Sequence, residues 1–301
     1  LLIRDHMRAD DLVRVYGAGF SELLREEIRA VEAIDFIQCE ACDLRFFHPP
    51  VAGSARFYER LQDTVADYYQ ADKPEFEFAR QYIQPHHDVL EVGCGAGAFG
   101  ASLPTRLYTG LELSGKAAQA ARARNLHVLE EEVGKHCELN PGRYDVVCAF
   151  QVLEHVPRPA EFLRACLHGL KSDGMLIVSL PSVDSFAGQL ANFALDLPPH
   201  HLTRWTDRCL KAVATVLPVE LVEVWHESIQ AVHKRMYMAG CLSGTMYRLL
   251  RSRVPAVDVT VSGRAISWTA SKLSRLLTPV LNLTGPVRGI SVTAVYRKRT
   301  P

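Results

Sequence analysis

The run Asp88-Val-Leu-Glu91-Val-Gly93-Cys94-Gly95-Ala-Gly97-Ala98 sets the architecture. Five residues with the pattern of a short buried strand end in a glycine cluster. A turn of this kind needs glycine, because backbone amides must approach a ligand closely and some φ values there are positive. On either side of it, strand-like and helix-like segments alternate. Residues 107–112, 127–129, 144–150 and 175–180 read as strands, and 96–103, 114–125 and 159–170 as helices. Helices of about 10–12 residues between strands imply βαβ units and a parallel sheet covered on both faces. Late in the chain, 289–296 alternates like a final strand.

The remainder of the chain is less regular. Residues 1–35 read as amphipathic helix or loop, with a helix start at 21–27. Over 34–50, apolar β-formers flank the two-cysteine turn Cys39-Glu-Ala-Cys42 and stop at Pro49-Pro50. Residues 54–83 carry Phe57, Tyr58, Leu61, Val65, Tyr68 and Tyr69 at helical spacing, which predicts a helix packed on the next domain.

Composition narrows the class. The chain has 301 residues, 34 Lys+Arg against 34 Asp+Glu, 48% hydrophobic and 23% charged residues, and a pI near 7.3. These values fit a globular protein, exclude a largely disordered chain and argue against a whole-protein nucleic-acid binder. No apolar run of about 18 residues predicts a membrane span, and no signal-peptide pattern opens the chain. Eight irregularly spaced cysteines do not make a disulfide framework, so the expected setting is reducing and cytoplasmic. The chain opens Leu1-Leu2-Ile3 without Met, which suggests a start further upstream.

The glycine loop gains meaning from Glu112, at the end of the next strand. A carboxylate there accepts both hydrogen bonds of a ribose diol. In open α/β sheets, ligands sit at the carboxyl ends of strands, where this loop lies. Gly93-x-Gly95-x-x-Ala98 also fits a dinucleotide fingerprint, and a tight turn without ligand is the plainest alternative. Glu91 would repel a pyrophosphate but suit an ammonium group. Gln151-Val-Leu-Glu154-His155 supplies a polar cluster after the fourth strand.

Over about 85–182 the chain resembles the class I S-adenosylmethionine-dependent methyltransferases. The glycine loop matches that family's first motif. Residues 144–156 are similar to the strand-four motif of its ubiquinone-biosynthesis-like branch, and 169–181 to its turn into strand five. The resemblance implies a Rossmann-like, doubly wound α/β sheet of seven strands, the last antiparallel, with an N-terminal extension and a helical insertion before the last strand. It divides the chain into an extension (1–75) and a methyltransferase domain (76–301), whose acceptor-side loops and insertion occupy 186–285. Glu91, Gly93, Cys94, Gly95 and Gly97 would line the methionine moiety, Cys94 as a small filler. Glu112 and Leu113 would hold the ribose side, Glu132 (within Glu130-Glu131-Glu132) would lie near the adenine amine, and Gln151 beside the same crevice.

The chemistry implied is in-line displacement from a sulfonium, with the acceptor at near-attack distance and water excluded. A hydroxyl acceptor also needs a base, for which histidine is suited near neutral pH. The candidates are His155 and the pair His200-His201. The first could instead shape the cofactor pocket, and the pair could cap a helix over 203–217. We expect an enzyme acting on a small molecule at oxygen. The alternatives are a nicotinamide-dependent oxidoreductase and a non-catalytic cofactor-binding domain.

Cys39 and Cys42 have zinc-knuckle spacing, and relatives with an N-terminal zinc ribbon show a similar run with another cysteine pair upstream. One knuckle supplies two of the four ligands of a structural zinc site, with His6 and His48 as conceivable substitutes. The other reading is a pair of buried apolar cysteines. Finally, 234–275 holds eight cations against Asp258 alone. That imbalance fits an anionic or lipid-linked acceptor, peripheral contact with a membrane surface, or a solvated helical face.

Overall fold

The computed structural model describes residues 1–64, 72–280 and 286–300. Its strands in chain order are β1 (Leu2–Arg8), β2 (Ala33–Gln38), β3 (Arg45–His48), β4 (Val89–Val92), β5 (Tyr108–Leu111), β6 (Val128–Leu129), β7 (Tyr144–Phe150), β8 (Leu170–Pro181), β9 (Thr203–Arg204), β10 (Val219–Ser228) and β11 (Arg288–Lys298). They form a seven-stranded sheet in the order β10-β11-β8-β7-β4-β5-β6 and a four-stranded sheet in the order β1-β2-β3-β9. In the larger sheet β6, β5, β4, β7 and β8 pair in parallel and the last strand is antiparallel. This is the Rossmann-like α/β fold expected.

The chain divides into two compact units, each assembled from separated stretches. One comprises Leu1–Phe57, Pro181–Asp207 and His226–Ser291; the other comprises Tyr58–Leu180, Arg208–Trp225 and Val292–Pro301. The sequence reading places its boundary near 75, whereas the compact units cut the chain after 57 and again within 180–292.

In the second unit, β4 and β7 are almost wholly buried because helices lie between consecutive parallel strands. Phe76, Phe99 and Phe150 pack tilted or edge to face, 4.6–5.3 Å between centroids, in one core cluster with Val146, Cys148 and Ile177. Helix Gly115–Arg122 is started by the Ser114 side chain, which accepts from the Ala117 amide, and it presents Ala117, Ala118 and Ala121 to the core. Small residues there bring the helix close to the sheet.

In the first unit, β1, β2 and β3 form an antiparallel meander, and β3 continues into β9 through Arg45↔Arg204 and Phe46↔Thr203. The Arg204 guanidinium lies over the rings of Phe36 and Phe47, 4.9 and 5.3 Å from their centroids. Tyr16, Phe20 and Phe57 pack as a triad, and the Tyr16 hydroxyl donates to the Leu197 carbonyl at 2.8 Å.

Three local expectations are corrected, and one strand is added. The helix expected somewhere in 1–35 is preceded by β1, whose charged sequence becomes strand because β2 offers it a full antiparallel partner. The helix over 96–103 is a turn followed by a 3-10 segment, Gly100–Ser102, since the glycines hold positive φ. The helix over 203–217 is Asp207–Val216, its first residues being drawn into β9. Strand β10 was not anticipated. The helical stretch over 54–83 is borne out for Ala55–Thr64 and Pro74–Arg80, while Val65, Tyr68 and Tyr69 lie outside the described residues.

Candidate functional site

Register places the candidate cofactor residues along one edge of the sheet. Val92 pairs with Leu111 on one side and Ala149 on the other, and Leu111 pairs with Leu129. The residues that follow, Gly93, Glu112, Glu130 and the Phe150-Gln151 corner, therefore leave neighbouring parallel strands at the same level, the carboxyl edge where such sheets bind ligands.

The loop after β4 is fixed by its glycines. Gly93, Gly95 and Gly97 have φ of 72°, 53° and 75°. A Cβ on Gly93 would meet Val152 Cγ2 at 2.5 Å, and one on Gly97 would meet Leu126 Cδ1 at 2.4 Å. Cys94 is buried, and desolvation pushes its thiol up to about 12, which disfavours the thiolate.

Glu112 ties loop and strand together. One of its oxygens accepts from the Gly95 amide and the other from the Ser114 amide, both at 2.8 Å. A carboxylate has about four lone-pair sites, so two held amides orient it and leave acceptor capacity for a diol. Leu113 next to it is 67% exposed. Of the three acids after β6, Glu130 pairs with Arg122 and Glu131 with His136. Glu132 is exposed at the start of helix Val133–Leu139, without an ion pair among the described residues.

Glu91 departs from expectation. It is buried, it accepts the Tyr108 hydroxyl at 2.6 Å, and desolvation raises its carboxyl to about 8. At neutral pH it is largely protonated, so charge repulsion is no basis for excluding a pyrophosphate. An ammonium group nearby would restore the ionised form.

Gln151 holds a left-handed backbone, φ 57°, where β7 ends. For a residue other than glycine this conformation is costly and collects at functional corners. Its amide donates to the Ser179 carbonyl at 2.7 Å and its side chain to Glu75 at 3.3 Å. Glu75 is 3% exposed and went unnoticed in the sequence; the signal was the acid–aromatic alternation in Pro74-Glu-Phe-Glu-Phe, with one acid facing in. Two residues beyond Leu153, His155 meets the Tyr58 hydroxyl at 3.3 Å through Nδ1, with their rings edge to face. Its Nε2 lies 3.7 Å from Glu154.

His200 and His201 belong to the other unit. Their rings stack at 4.5 Å. His200 Nδ1 meets the Leu195 carbonyl at 2.8 Å, and His201 Nδ1 meets Asp196 Oδ1 at 3.0 Å. Asp196 also pairs with Arg204 at 3.0 Å, while burial pushes its carboxyl up to about 6 against that pull. The next α-helix starts at Asp207, six residues beyond His201, so neither histidine stands at its N-cap.

Cys39 and Cys42 sit half-buried at the β2–β3 turn, so the fully buried apolar reading does not hold. The Cys39 thiol is lowered, chiefly because the Cys42 amide donates to it. Among the described residues no third metal ligand joins them, and His6 is engaged with Asp35. The described residues thus supply two of the four donors a structural zinc needs.

A sheet in this order, with a glycine loop and an amide-held carboxylate on adjacent strand ends, is that of the class I S-adenosylmethionine-dependent methyltransferases. The chain belongs to the methyltransferase-domain family, whose model matches residues 59–215, just over half of it. It is 39% identical over 99 residues to a ubiquinone biosynthesis O-methyltransferase of Serratia proteamaculans (strain 568), covering 30% of this chain and 41% of that one. The corresponding protein of Sodalis glossinidius (strain morsitans) is 38% identical over 103 residues, covering 31% and 40%. The chain spans about two fifths of the length of these curated relatives. A solved candidate methyltransferase of Bacillus halodurans C-125 aligns with TM-score 0.50 and 17% identity, over 75% of this chain and 99% of that one. That likeness concerns the fold. Among the described residues no helix is long and apolar enough to cross a membrane.

Proposed function

We propose that the chain transfers a methyl group from S-adenosylmethionine to a hydroxyl of a small molecule in a cytoplasmic setting. The observation that carries this is Glu112, locked by the Gly95 amide so that glycine loop and ribose acceptor form one prepared surface. When bound, the cofactor supplies a methyl on a positively charged sulfur. The glycine loop admits the ligand close to the backbone, Glu112 holds the sugar, Glu132 is available to the base, and Gln151 shapes the corner beside Gly93. Transfer to oxygen is supported by the partial relatives named for that reaction.

In the proposed step the acceptor oxygen forms the new bond as the sulfur–carbon bond breaks. The hydroxyl proton passes to a base, and the sulfonium charge is lost to a neutral thioether. His155 stands five residues beyond the end of β7, in contact with the Tyr58 hydroxyl. His201 is a second candidate, its Nδ1 meeting Asp196 Oδ1 at 3.0 Å, a contact with a carboxylate that favours the tautomer protonated at Nδ1. His200 is a third. Each is tested by replacement with Ala, with turnover and cofactor affinity measured together; unchanged turnover removes that histidine.

Calorimetry tests the cofactor reading. S-adenosylmethionine and S-adenosylhomocysteine should bind, NAD should not, and Glu112→Ala should weaken binding at least about tenfold, the cost of a charge-assisted hydrogen-bond acceptor. Absence of heat and of thermal protection with either nucleoside overturns it. Zinc at Cys39 and Cys42 is supported by their knuckle spacing at one turn and requires two donors beyond those described. Metal analysis finding about one zinc per chain supports it, and none discards it.

A further inference from the structure

Helix Val261–Leu277 in the first unit turns an unusual face to solvent. Val261, Arg264, Trp268, Lys272, Arg275 and Leu276 are all exposed, and their spacing of three and four residues puts them on one stripe. Trp268 is 64% and Leu276 73% exposed. The opposite side buries Gly263, Ile266, Ala270 and Ser274, so the helix has its core contact and the stripe is surplus to it. Lys272 lies 5.6 Å over the Trp268 ring. Among the described residues Arg264, Lys272 and Arg275 form no ion pair. Asp258, the one acid of 234–275, is buried and already paired with Arg251 at 2.6 Å. On the preceding helix, Lys234–Arg251, Leu249 and Leu250 add further exposed apolar surface.

We propose that this stripe is a docking face for an anionic phospholipid surface, with Trp268 and the aliphatic side chains entering the headgroup layer and the three cations meeting phosphates. Indole is suited to that layer by its apolar body and polar N–H, and long basic side chains keep their charge at the surface while burying their stems. Charge complementarity selects the occupant. A second copy on a two-fold axis would set Arg264, Lys272 and Arg275 against their own kind. A nucleic acid offers the cations their phosphates but gives Val261 and Leu276 no apolar layer.

The test is sedimentation of the purified chain with vesicles of equal parts phosphatidylglycerol and phosphatidylcholine, and with phosphatidylcholine alone. Trp emission is recorded alongside. Binding to the anionic vesicles that weakens as salt rises, with a blue shift lost in Trp268→Phe, is expected. The triple variant R264E/K272E/R275E should lose at least about tenfold in binding, each basic residue contributing at the membrane surface. Its thermal unfolding should stay close to that of the parent, since the replaced side chains are exposed. No sedimentation at low salt overturns the proposal, as does binding that the triple variant leaves unchanged. It is equally overturned if the stripe instead binds RNA in preference to vesicles, or drives a Trp268-dependent dimer.

Discussion

Glu91 shows how one residue sets a pH response. Its carboxyl titrates near 8 in the folded chain against an ordinary 4.5, because burial penalises the charge. The folded state therefore holds this proton more tightly than the unfolded state. Stability from the neutral carboxyl is complete below pH 4.5 and is lost as pH rises through 8. Glu91→Gln keeps an acceptor for Tyr108 without the charge. It should match the parent near pH 5 and exceed it by roughly 2–4 kcal/mol above pH 8 in chemical denaturation. A stability gap that does not change between these pH values refutes the assignment. At this scale the sequence was readable where chemistry is local. The glycine spacing and Glu112 are found where they were expected, because strand ends and turns are set by neighbouring residues. The charge state of Glu91 is not readable there, because it depends on burial by distant elements, against which the Tyr108 hydroxyl pulls only in part. Nor is the buried partner of Gln151, since Glu75 lies 76 residues away.

Among the elements, the loop before helix Val261–Leu277 has a definite anchor. Asp258 accepts from Arg251, from the Thr260 amide at 3.1 Å and from the Thr260 hydroxyl at 2.6 Å, and Thr260 in turn caps the helix through the Gly263 amide. A Cβ on Gly263 would lie 2.2 Å from that carboxyl carbon, so glycine is needed for the close approach. Asp258→Ala strands Arg251 and the cap together; we expect a loss of about 3 kcal/mol and faster hydrogen exchange in the first turns of this helix. A loss under about 0.5 kcal/mol, the range of ordinary surface changes, would show the anchor to be dispensable. Strands β4 and β7 were legible because buried parallel strands read as near-continuous apolar runs. Strand β1 was not: Arg4, Asp5, His6 and Arg8 hide it, and its state comes from β2. Strand β10, with Glu220 and Glu223 interrupting its apolar residues, lies at the sheet's edge and carries the polar pattern of an exposed border.

For the whole molecule, neither compact unit is a continuous stretch of chain, which no boundary drawn along the sequence can express. The four-stranded sheet takes three strands from the first 48 residues and its fourth from Thr203–Arg204. A chain beginning at 58 should therefore leave 203–204 without a partner and Arg204 without the rings it covers. Such a truncated protein is expected to unfold over a broader denaturant range and to bind a hydrophobic dye, whereas a sharp transition like the parent's would contradict this. The same wiring has a temporal side. During synthesis the N-terminal meander emerges early, with Phe36 and Phe47 lacking the guanidinium that later lies over them. At about 5–20 residues per second, ribosomes need roughly 10–30 s more to deliver Arg204. Over that interval the third strand lacks its later neighbour and two rings lack the cation that covers them in the folded chain.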